Sequence, residues 1–397
     1  MYLKTNFPLR YINYFLFSIL VLFLTRQFPL DKYSFIMNIS LILFFIFNYR
    51  YILININKDK ILKQLFFLTI GISLLMIFYS LYLENEPSLI IRFYLIIVLI
   101  FLAYFVKPDK KYINIFIFFI GIQALFLICF EIYLMANFSI DTYYPIRHFF
   151  LNNNWGDVYT YNGIIWKIQL KGNALLPFAF FISMVYYKGF KRSLIAGLFF
   201  VATLLAGNFA YILGIILFLG LYYIYSKRWT IQKIVLNIFV GVLFITALSI
   251  PAYSYFTEIV QKKAVSSNPT RIDQIEVLIE NMSESIPTIL FGQGLGNTVD
   301  VKTELRDYSG AIYYELQAFY FMNQLGILFF TFFILINILL AYYMFKYKLL
   351  FIVYASYIFY ALFNPYFLDT SHMVAIIILL SLRKVFDEKN ILNPRSI

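Results

Sequence analysis

Two arginines and a glutamate lie in one polar segment of the chain, and these residue types suit the binding of a phosphorylated substrate. Arg271 and Arg306 come before Glu315 in this segment. Guanidinium groups pair bidentately with phosphate oxygens. Glu315 stands where the chain enters an apolar stretch, so its carboxylate is partly desolvated and suited to general-base catalysis. An interfacial acid that caps the following helix or pairs with an arginine is the alternative interpretation.

A run of alternating glycines lies between the two arginines. Gly292, Gly294 and Gly296 are separated by Gln293 and Leu295. Glycine tolerates positive φ and close backbone approach, which suits a cradle of amide groups around an anion. A plain turn explains the glycines equally well. The run is not a phosphate-binding loop of the Walker type, because no lysine follows it.

A second group of cations lies earlier in the chain. Arg147 and Lys171 belong to a separate polar segment, and two or three such groups could converge on a pyrophosphate. A solvated loop charge is the alternative for each of them taken alone. The cations considered as one anion-binding set are Arg147, Lys167, Lys171, Arg271, Lys302 and Arg306.

The sequence offers no arrangement of residues typical of a metal site. His148 and His372 are far apart, and neither belongs to a ligand-spaced cluster. Cys129 is the one cysteine of the chain, which excludes an internal disulfide and a thiol relay. We therefore expect no metal ion and no cofactor.

The elements that position these residues must be membrane helices. Hydrophobic residues make up 62% of the 397 and charged residues 13%, and the mean hydropathy is +0.78. Soluble domains carry about twice that share of charge. Repeated apolar runs approach the ~20 residues that cross a bilayer as a helix. The sequence predicts an all-α polytopic integral membrane protein, folded as a single domain over residues 1–397.

About twelve transmembrane helices are predicted, with both chain termini in the cytoplasm. Of the 32 basic residues, 21 fall in the segments that this orientation places inside. Because the net charge of +12 is scattered between apolar runs, we expect no nucleic-acid partner. The predicted spans are centred on residues 11–25, 33–48, 65–83, 88–106, 112–135, 173–187, 193–207, 209–225, 234–252, 318–344, 349–363 and 371–382.

Two long polar segments fall on the outer face in this topology. The first polar segment covers residues 137–171, and the second polar segment covers residues 253–317. In the second, an amphipathic helix is predicted to start at Asn268-Pro269-Thr270 and to end before Pro287 and the glycines. Its predicted apolar face consists of Ile272, Ile275, Leu278, Ile279 and Met282.

Charged or titratable residues also occur within or beside apolar runs. Arg92 and Glu131 are costly there unless they are paired or face a cavity, and a buried structural pair is the interpretation we favour. Asp369 and His372 lie in the last short outer loop, where they could border the cavity of the main site.

Taken together, these motifs resemble the O-antigen polymerase and ligase superfamily of bacterial surface-polysaccharide assembly. The resemblance rests on Arg271, the Gly-x-Gly-x-Gly stretch, Glu315 and Gln324-Leu325-Gly326-Ile327, with Lys171-Gly172-Asn173 earlier in the chain. Motifs support it over residues 165–345, and topology alone supports it elsewhere. Glu315 stands where ligases typically have a histidine, which favours the polymerase.

One departure from the family pattern removes a cation. Many members of the superfamily have a serine-arginine pair where this chain has Leu205-Ala206-Gly207-Asn208. The resemblance implies a glycosyltransferase C-like membrane fold in the bacterial inner membrane, with its active face in the periplasm. The implied partners are undecaprenyl-pyrophosphate-linked oligosaccharides, membrane lipid, a chain-length regulator and a flippase.

The resemblance also implies a reaction and residue roles. A polymerase transfers the growing chain from its lipid pyrophosphate to a new lipid-linked repeat unit. Glu315, Arg271 and Arg306 are the implied catalytic residues, and the implied substrate-binding residues are Arg147, Lys171, Gly292, Gly294 and Gly296. Two alternatives stay open, namely a ligase that transfers the polymer to lipid A core and a flippase for the lipid-linked sugar. Aromatic residues that either stack on sugar rings or form an interfacial belt are Tyr143, Tyr144, Trp155, Tyr159, Tyr161 and Trp166.

Overall fold

The computed structural model is a mostly helical membrane protein. It describes residues 7–25, 33–140, 143–153, 155–160, 165–226, 268–302, 307–312, 314 and 316–392. In chain order its helices are α1 (Phe7–Leu24), α2 (Ser34–Asn57), α3 (Lys60–Tyr82), α4 (Pro87–Ala103), α5 (Lys110–Asn137), α6 (Tyr143–Asn152), α7 (Leu176–Tyr186), α8 (Gly189–Leu205), α9 (Phe209–Ser226), α10 (Asn268–Met282), α11 (Ile286–Phe291), α12 (Gln317–Phe345), α13 (Lys348–Leu362) and α14 (Thr370–Leu392).

Within the described residues, five helices are long and apolar enough to cross a membrane, namely α2, α3, α5, α9 and α12. Shorter apolar helices of 10–17 residues account for parts of α1, α4, α7 and α13. Eleven of the predicted spans coincide with helices, and the span at 234–252 lies outside the described residues. The chain is therefore membrane-embedded, while the number of crossings stays a prediction.

Helix α14 lies at the centre of the bundle. Each residue from Met373 to Leu380 is buried, so this helix is covered on all sides. It packs against α1, α4, α5, α12 and α13. Large apolar side chains such as Phe15, Phe78 and Phe190 are exposed instead on the outside of the bundle, as expected for a surface in contact with lipid.

The structure is compatible with the predicted all-α membrane fold and adds a short β-hairpin in the first polar segment. Strand β1 (Gly156–Thr160) pairs antiparallel with β2 (Trp166–Leu170), with Val158 opposite Ile168. Asn162-Gly163 lies between the two strands in the sequence. Asn-Gly between alternating strands is the strongest short-range hairpin signal, so the sequence did contain evidence for this hairpin.

The amphipathic helix of the second polar segment is confirmed as α10, but its end and its buried face differ from the prediction. The helix ends at Met282, and Pro287 lies in the first turn of α11 instead of terminating α10. Ser285 caps α11 by a capping box with Thr288. Ile272 and Ile279 are exposed, so the predicted apolar face does not all face the bundle.

Candidate functional site

The second polar segment joins the bundle at a break in α12. Gly326 has φ 65° and ψ 174° inside this helix, and such a break leaves backbone carbonyls without helical partners. The glycine stretch, residues 292–296, supplies the missing donors. The amide of Gln293 donates to the Asn323 carbonyl at 2.8 Å, and that of Gly294 donates to the Gln324 carbonyl at 3.1 Å. The break is therefore compensated by a distant part of the chain.

The glycines are required by this close contact. Gly292 has φ +80°, and a Cβ built on it would lie 2.3 Å from the Gln324 carbonyl oxygen and 2.4 Å from the Gly326 nitrogen. Real Cβ atoms do not approach backbone atoms so closely. Glycine is the residue that permits both the positive φ and the backbone-to-backbone contact.

Helix α3 and the turn after it hold the other side of the stretch. The Leu295 amide donates to Ser80 Oγ at 2.7 Å, and Asn85 Nδ2 donates to the Gln293 carbonyl at 2.8 Å. Tyr79 donates to the Gly292 carbonyl at 3.0 Å. The glycine stretch is thus fixed between α3, the turn after it and α12 by hydrogen bonds in both directions.

This geometry changes the interpretation of the glycines. The amide of Gly292 donates to the Thr288 carbonyl at 2.8 Å, that of Gly294 to α12, and that of Gly296 to Gln324 Oε1 at 3.3 Å. Amides that already donate within the protein do not form an anion cradle in this conformation. The structure gives the three glycines a packing role, which is closer to the plain-turn alternative.

Three asparagines, which we call the asparagine cluster (Asn281, Asn297 and Asn323), connect α10 to α12. Asn323 Nδ2 donates to the Leu278 carbonyl at 3.0 Å and to Asn281 Oδ1 at 2.9 Å. Asn297 Nδ2 donates to Asn323 Oδ1 at 3.1 Å and to Asn281 Oδ1 at 3.2 Å. The cluster places α10, the glycine stretch and the first part of α12 in one hydrogen-bonded unit.

Arg271 lies at the start of α10, on the face that turns toward this unit. It is half-buried, and one turn later Gln274 is fully buried, followed by buried Leu278 and Met282. Neither amide atom of Gln274 has a hydrogen-bond partner among the described residues. A buried amide without partners is costly, so this face of α10 is suited to polar contact rather than to apolar packing alone.

Glu315 and Arg306 lie outside the described residues, but the chain on either side of Glu315 is held in place. The Tyr314 hydroxyl donates to the Val299 carbonyl at 2.9 Å, and the Tyr314 amide donates to Gln317 Oε1 at 2.8 Å. Burial raises the pKa of Tyr314 to about 12. Its ring also lies 4.6 Å from that of Tyr320. The entry into α12 is therefore well packed.

In the first polar segment, Arg147 forms an ion pair. Its guanidinium donates to both oxygens of Asp157, each at 2.9 Å, and lies 5.3 Å from the Tyr159 ring centre. Burial lowers the pKa of Arg147, but the hydrogen bonds and charge of Asp157 outweigh this and raise it. Arg147 thus attaches α6 to β1. Lys171 lies in a 3₁₀ turn, Lys171–Leu175, and its side chain is outside the description.

Glu131 is not part of an ion pair among the described residues, so the buried pair with Arg92 is wrong in this form. Glu131 Oε1 accepts a hydrogen bond from the Trp166 amide at 3.0 Å, while Arg92 is exposed. Glu131 Oε2 and Trp166 Nε1 are both buried and have no partner within the described part of the chain. Trp166 is fully buried, so it cannot stack on a sugar in this conformation.

His372 lies in the core of the bundle and not in an open loop. It is fully buried, with Nε2 at 3.0 Å from the Tyr354 hydroxyl and Nδ1 at 2.8 Å from the Phe367 carbonyl. The Tyr354 hydroxyl is in turn bonded to Tyr104 at 2.9 Å. Within the described ranges, no group of three His, Cys, Asp or Glu side chains is placed to hold a metal ion.

An apolar pocket lies beside the break in α12, at a position that no pattern in the sequence indicated. It lies between α3, α4 and α12 and is partly open to the outside of the bundle. Met76 on its wall is one helical turn from Ser80, which binds the glycine stretch. The lining includes Thr69, Ser73, Met76, Ile97, Leu325 and Phe329.

Comparisons with protein-family models, curated proteins and solved structures give no match for this chain.

Proposed function

We propose that this protein polymerises oligosaccharide repeat units carried on undecaprenyl pyrophosphate, as an inner-membrane glycosyltransferase whose active face is periplasmic. The observation that carries the proposal is the hydrogen-bonded unit of α10, the glycine stretch and the broken α12. Arg271 lies at the start of α10, and Glu315 comes two residues before α12 begins in the sequence. The unit therefore links the two elements that carry the proposed cation and the proposed base.

The proposed reaction needs no nucleotide. A hydroxyl oxygen of the new lipid-linked repeat unit attacks C1 of the sugar that joins the growing chain to pyrophosphate. The C1–O bond to pyrophosphate breaks, and its electron pair leaves with undecaprenyl pyrophosphate. The hydroxyl proton passes to Glu315. Arg271 and Arg306 neutralise the charge that develops on the leaving group.

The apolar pocket supports a membrane-bound substrate. Its walls are apolar. It lies next to the glycine stretch, through Met76 one turn from Ser80 on α3 and through Leu325 beside Gly326 on α12. In the proposal it takes part of the polyprenyl chain while the pyrophosphate stays at the outer end near α10. Lys171 stays in the proposal as a second phosphate contact.

The ion pair of Arg147 reduces the role that this residue has in the proposal. A pyrophosphate would have to displace a carboxylate that already accepts two hydrogen bonds from Arg147. Arg147 is therefore proposed to hold the first polar segment together, with the leaving-group charge assigned to the second.

The proposal is tested by deleting the gene in the bacterium that carries it and separating its surface polysaccharide by size. A polymerase predicts a ladder reduced to core plus one repeat unit. Complete loss of attached sugar, with long polymer left on undecaprenyl pyrophosphate, would identify a ligase instead. Single repeat units trapped on the inner face would identify a flippase. An unchanged ladder would refute all three.

The site is tested separately by replacing Arg271. Arg271→Ala should abolish polymer while leaving membrane insertion intact, and Arg271→Lys should restore it only in part because lysine lacks the bidentate fork. Glu276→Gln changes an exposed residue on the same helix and serves as the control. Normal polymer from Arg271→Ala would remove this residue from the proposal.

A further inference from the structure

Asn323 contacts each element of the unit that joins α10 to α12. Its carbonyl accepts from the Gln293 amide of the glycine stretch. Its Nδ2 donates to the Leu278 carbonyl and to Asn281 Oδ1 on α10, and its Oδ1 accepts from Asn297. Both side-chain N–H groups and the side-chain oxygen are therefore used.

The position of Asn323 depends on the break in α12. It lies three residues before Gly326, where the helical hydrogen bonds stop. Its carbonyl is available to the glycine stretch because the continuing helix does not use it. The side chain is 1% exposed, so water does not replace these hydrogen bonds.

The contact of Asn323 with Leu278 and Asn281 lies at similar distances from Arg271 and from the entry of α12. Leu278 is seven residues from Arg271, about 10 Å along α10, and Asn323 is six residues from Gln317, about 9 Å along α12. A hydrogen-bonded joint at these points sets the angle between two rigid helices. A small change in the angle at this contact therefore displaces the far end of each helix.

We propose that Asn323 is a positioning residue: by joining the last turns of α10 to α12 it sets where Arg271, at the start of α10, lies relative to the entry of α12 at Gln317. This inference rests on the proposed function. Asn323 itself touches no substrate, and its effect passes through α10.

The physical reason is that catalysis by orientation is sensitive to small displacements. A shift of about 1 Å far from the reacting atoms can lower a rate on the order of 10²-fold. A buried amide network with every hydrogen bond satisfied specifies one arrangement of its helices, whereas apolar packing tolerates sliding. Asn323 belongs to such a network with α10 and the glycine stretch.

The test compares matched alanine variants in purified protein supplied with lipid-linked repeat units. Asn323→Ala should lower kcat on the order of 10²-fold, with KM for the lipid-linked substrate within about threefold of wild type. Asn337→Ala is the control, because Asn337 is 2% exposed on the same helix. Its side chain donates to the Phe333 carbonyl in its own helix and accepts from Tyr104, just after α4, so these hydrogen bonds lie away from α10. Asn337→Ala should lower thermal stability by a similar amount and leave kcat within about twofold.

A second pair of variants covers the case in which Asn323→Ala does not fold. Asn281 offers only its Oδ1 to the other two asparagines, so Asn281→Ala should lower kcat. Asn281 Nδ2 donates to Glu284 Oε1 at 3.1 Å, so the rescue variant combines Asn281→Asp, which keeps the acceptor, with Glu284→Gln, which removes the repulsion, and it should restore most of kcat. If folded Asn281→Ala or Asn323→Ala turns over like wild type, the positioning role is wrong. Arg271→Ala in the same assay separates the two levels: if it is fully active, the proposed site fails and this inference fails with it.

Discussion

The two polar segments contain similar residue types and use them differently. In the first, Arg147 donates two hydrogen bonds to Asp157. This ion pair attaches α6 to the hairpin. In the second, amides and amide side chains make the attachments, through the glycine stretch and Asn323. Arg271 lies on the helix face that leads toward the asparagine cluster.

This difference shows two ways in which a chain can attach a segment that carries a cation. A carboxylate partner stabilises an arginine but competes with any incoming phosphate. Neutral amides give a rigid support and bring no negative charge of their own to the segment. On this comparison the second polar segment is the better place for a leaving-group site.

The largest expected effect comes from adding a methyl group to the helix break. Gly326→Ala should destabilise the protein by about 3–5 kcal/mol, because the new Cβ would lie 2.4 Å from both the Gly292 nitrogen and the Leu290 carbonyl oxygen. Thermal unfolding in detergent measures this. The control Gly71→Ala meets nothing within 4 Å on α3 and should be neutral or stabilising by up to about 1 kcal/mol. Equal melting temperatures for the two variants would contradict the contact.

A smaller effect is expected from breaking the ion pair of the first polar segment. Arg147→Ala leaves Asp157, whose side chain is 12% exposed, without its partner and should cost about 1–3 kcal/mol. The double change Arg147→Ala with Asp157→Ala should recover part of that loss. Polymerisation per folded molecule should stay within a few-fold of wild type. Abolished polymerisation without any loss of stability would mean that Arg147 binds substrate. The proposed difference between the two polar segments would then be wrong.

The smallest effect concerns the packing next to Glu315. Tyr314→Phe removes the hydrogen bond to the Val299 carbonyl and should cost about 1 kcal/mol. Because burial raises the pKa of Tyr314 to about 12, the neutral hydroxyl contributes stability that is fully present below pH 10 and lost as pH rises through 12. Between pH 8 and about 11.5, the free energy of unfolding should therefore fall more steeply for wild type than for Tyr314→Phe. Parallel curves would rule out this titration.

Sequence alone predicted most of the helices and little of how the polar segments attach to them. Apolar runs are local signals, and α10 was recognisable from Asn268-Pro269 and its helical spacing. The break at Gly326 was not, because its cause lies in residues 292–294, which are about thirty positions away. The buried face of α10 was partly misjudged for the same reason, since Gln274 rather than Ile272 turns inward.

The candidate site shows the same division between local and distant information. The residue types of Arg271 and Glu315 could be read from the sequence, and the structure describes the helix that carries Arg271. The ion pair of Arg147 with Asp157 could not be predicted, because it depends on α6 folding back on β1. Asn323 was missed because no local pattern shows whether an asparagine in an apolar run joins two helices by hydrogen bonds or lies on the surface.

The most direct test reconstitutes purified wild type, Arg147→Ala and Arg271→Ala in vesicles with lipid-linked repeat units, and resolves the products by size. The account predicts a ladder from wild type and from folded Arg147→Ala, and single repeat units from Arg271→Ala. A full ladder from Arg271→Ala, or the absence of any ladder from wild type, would contradict it.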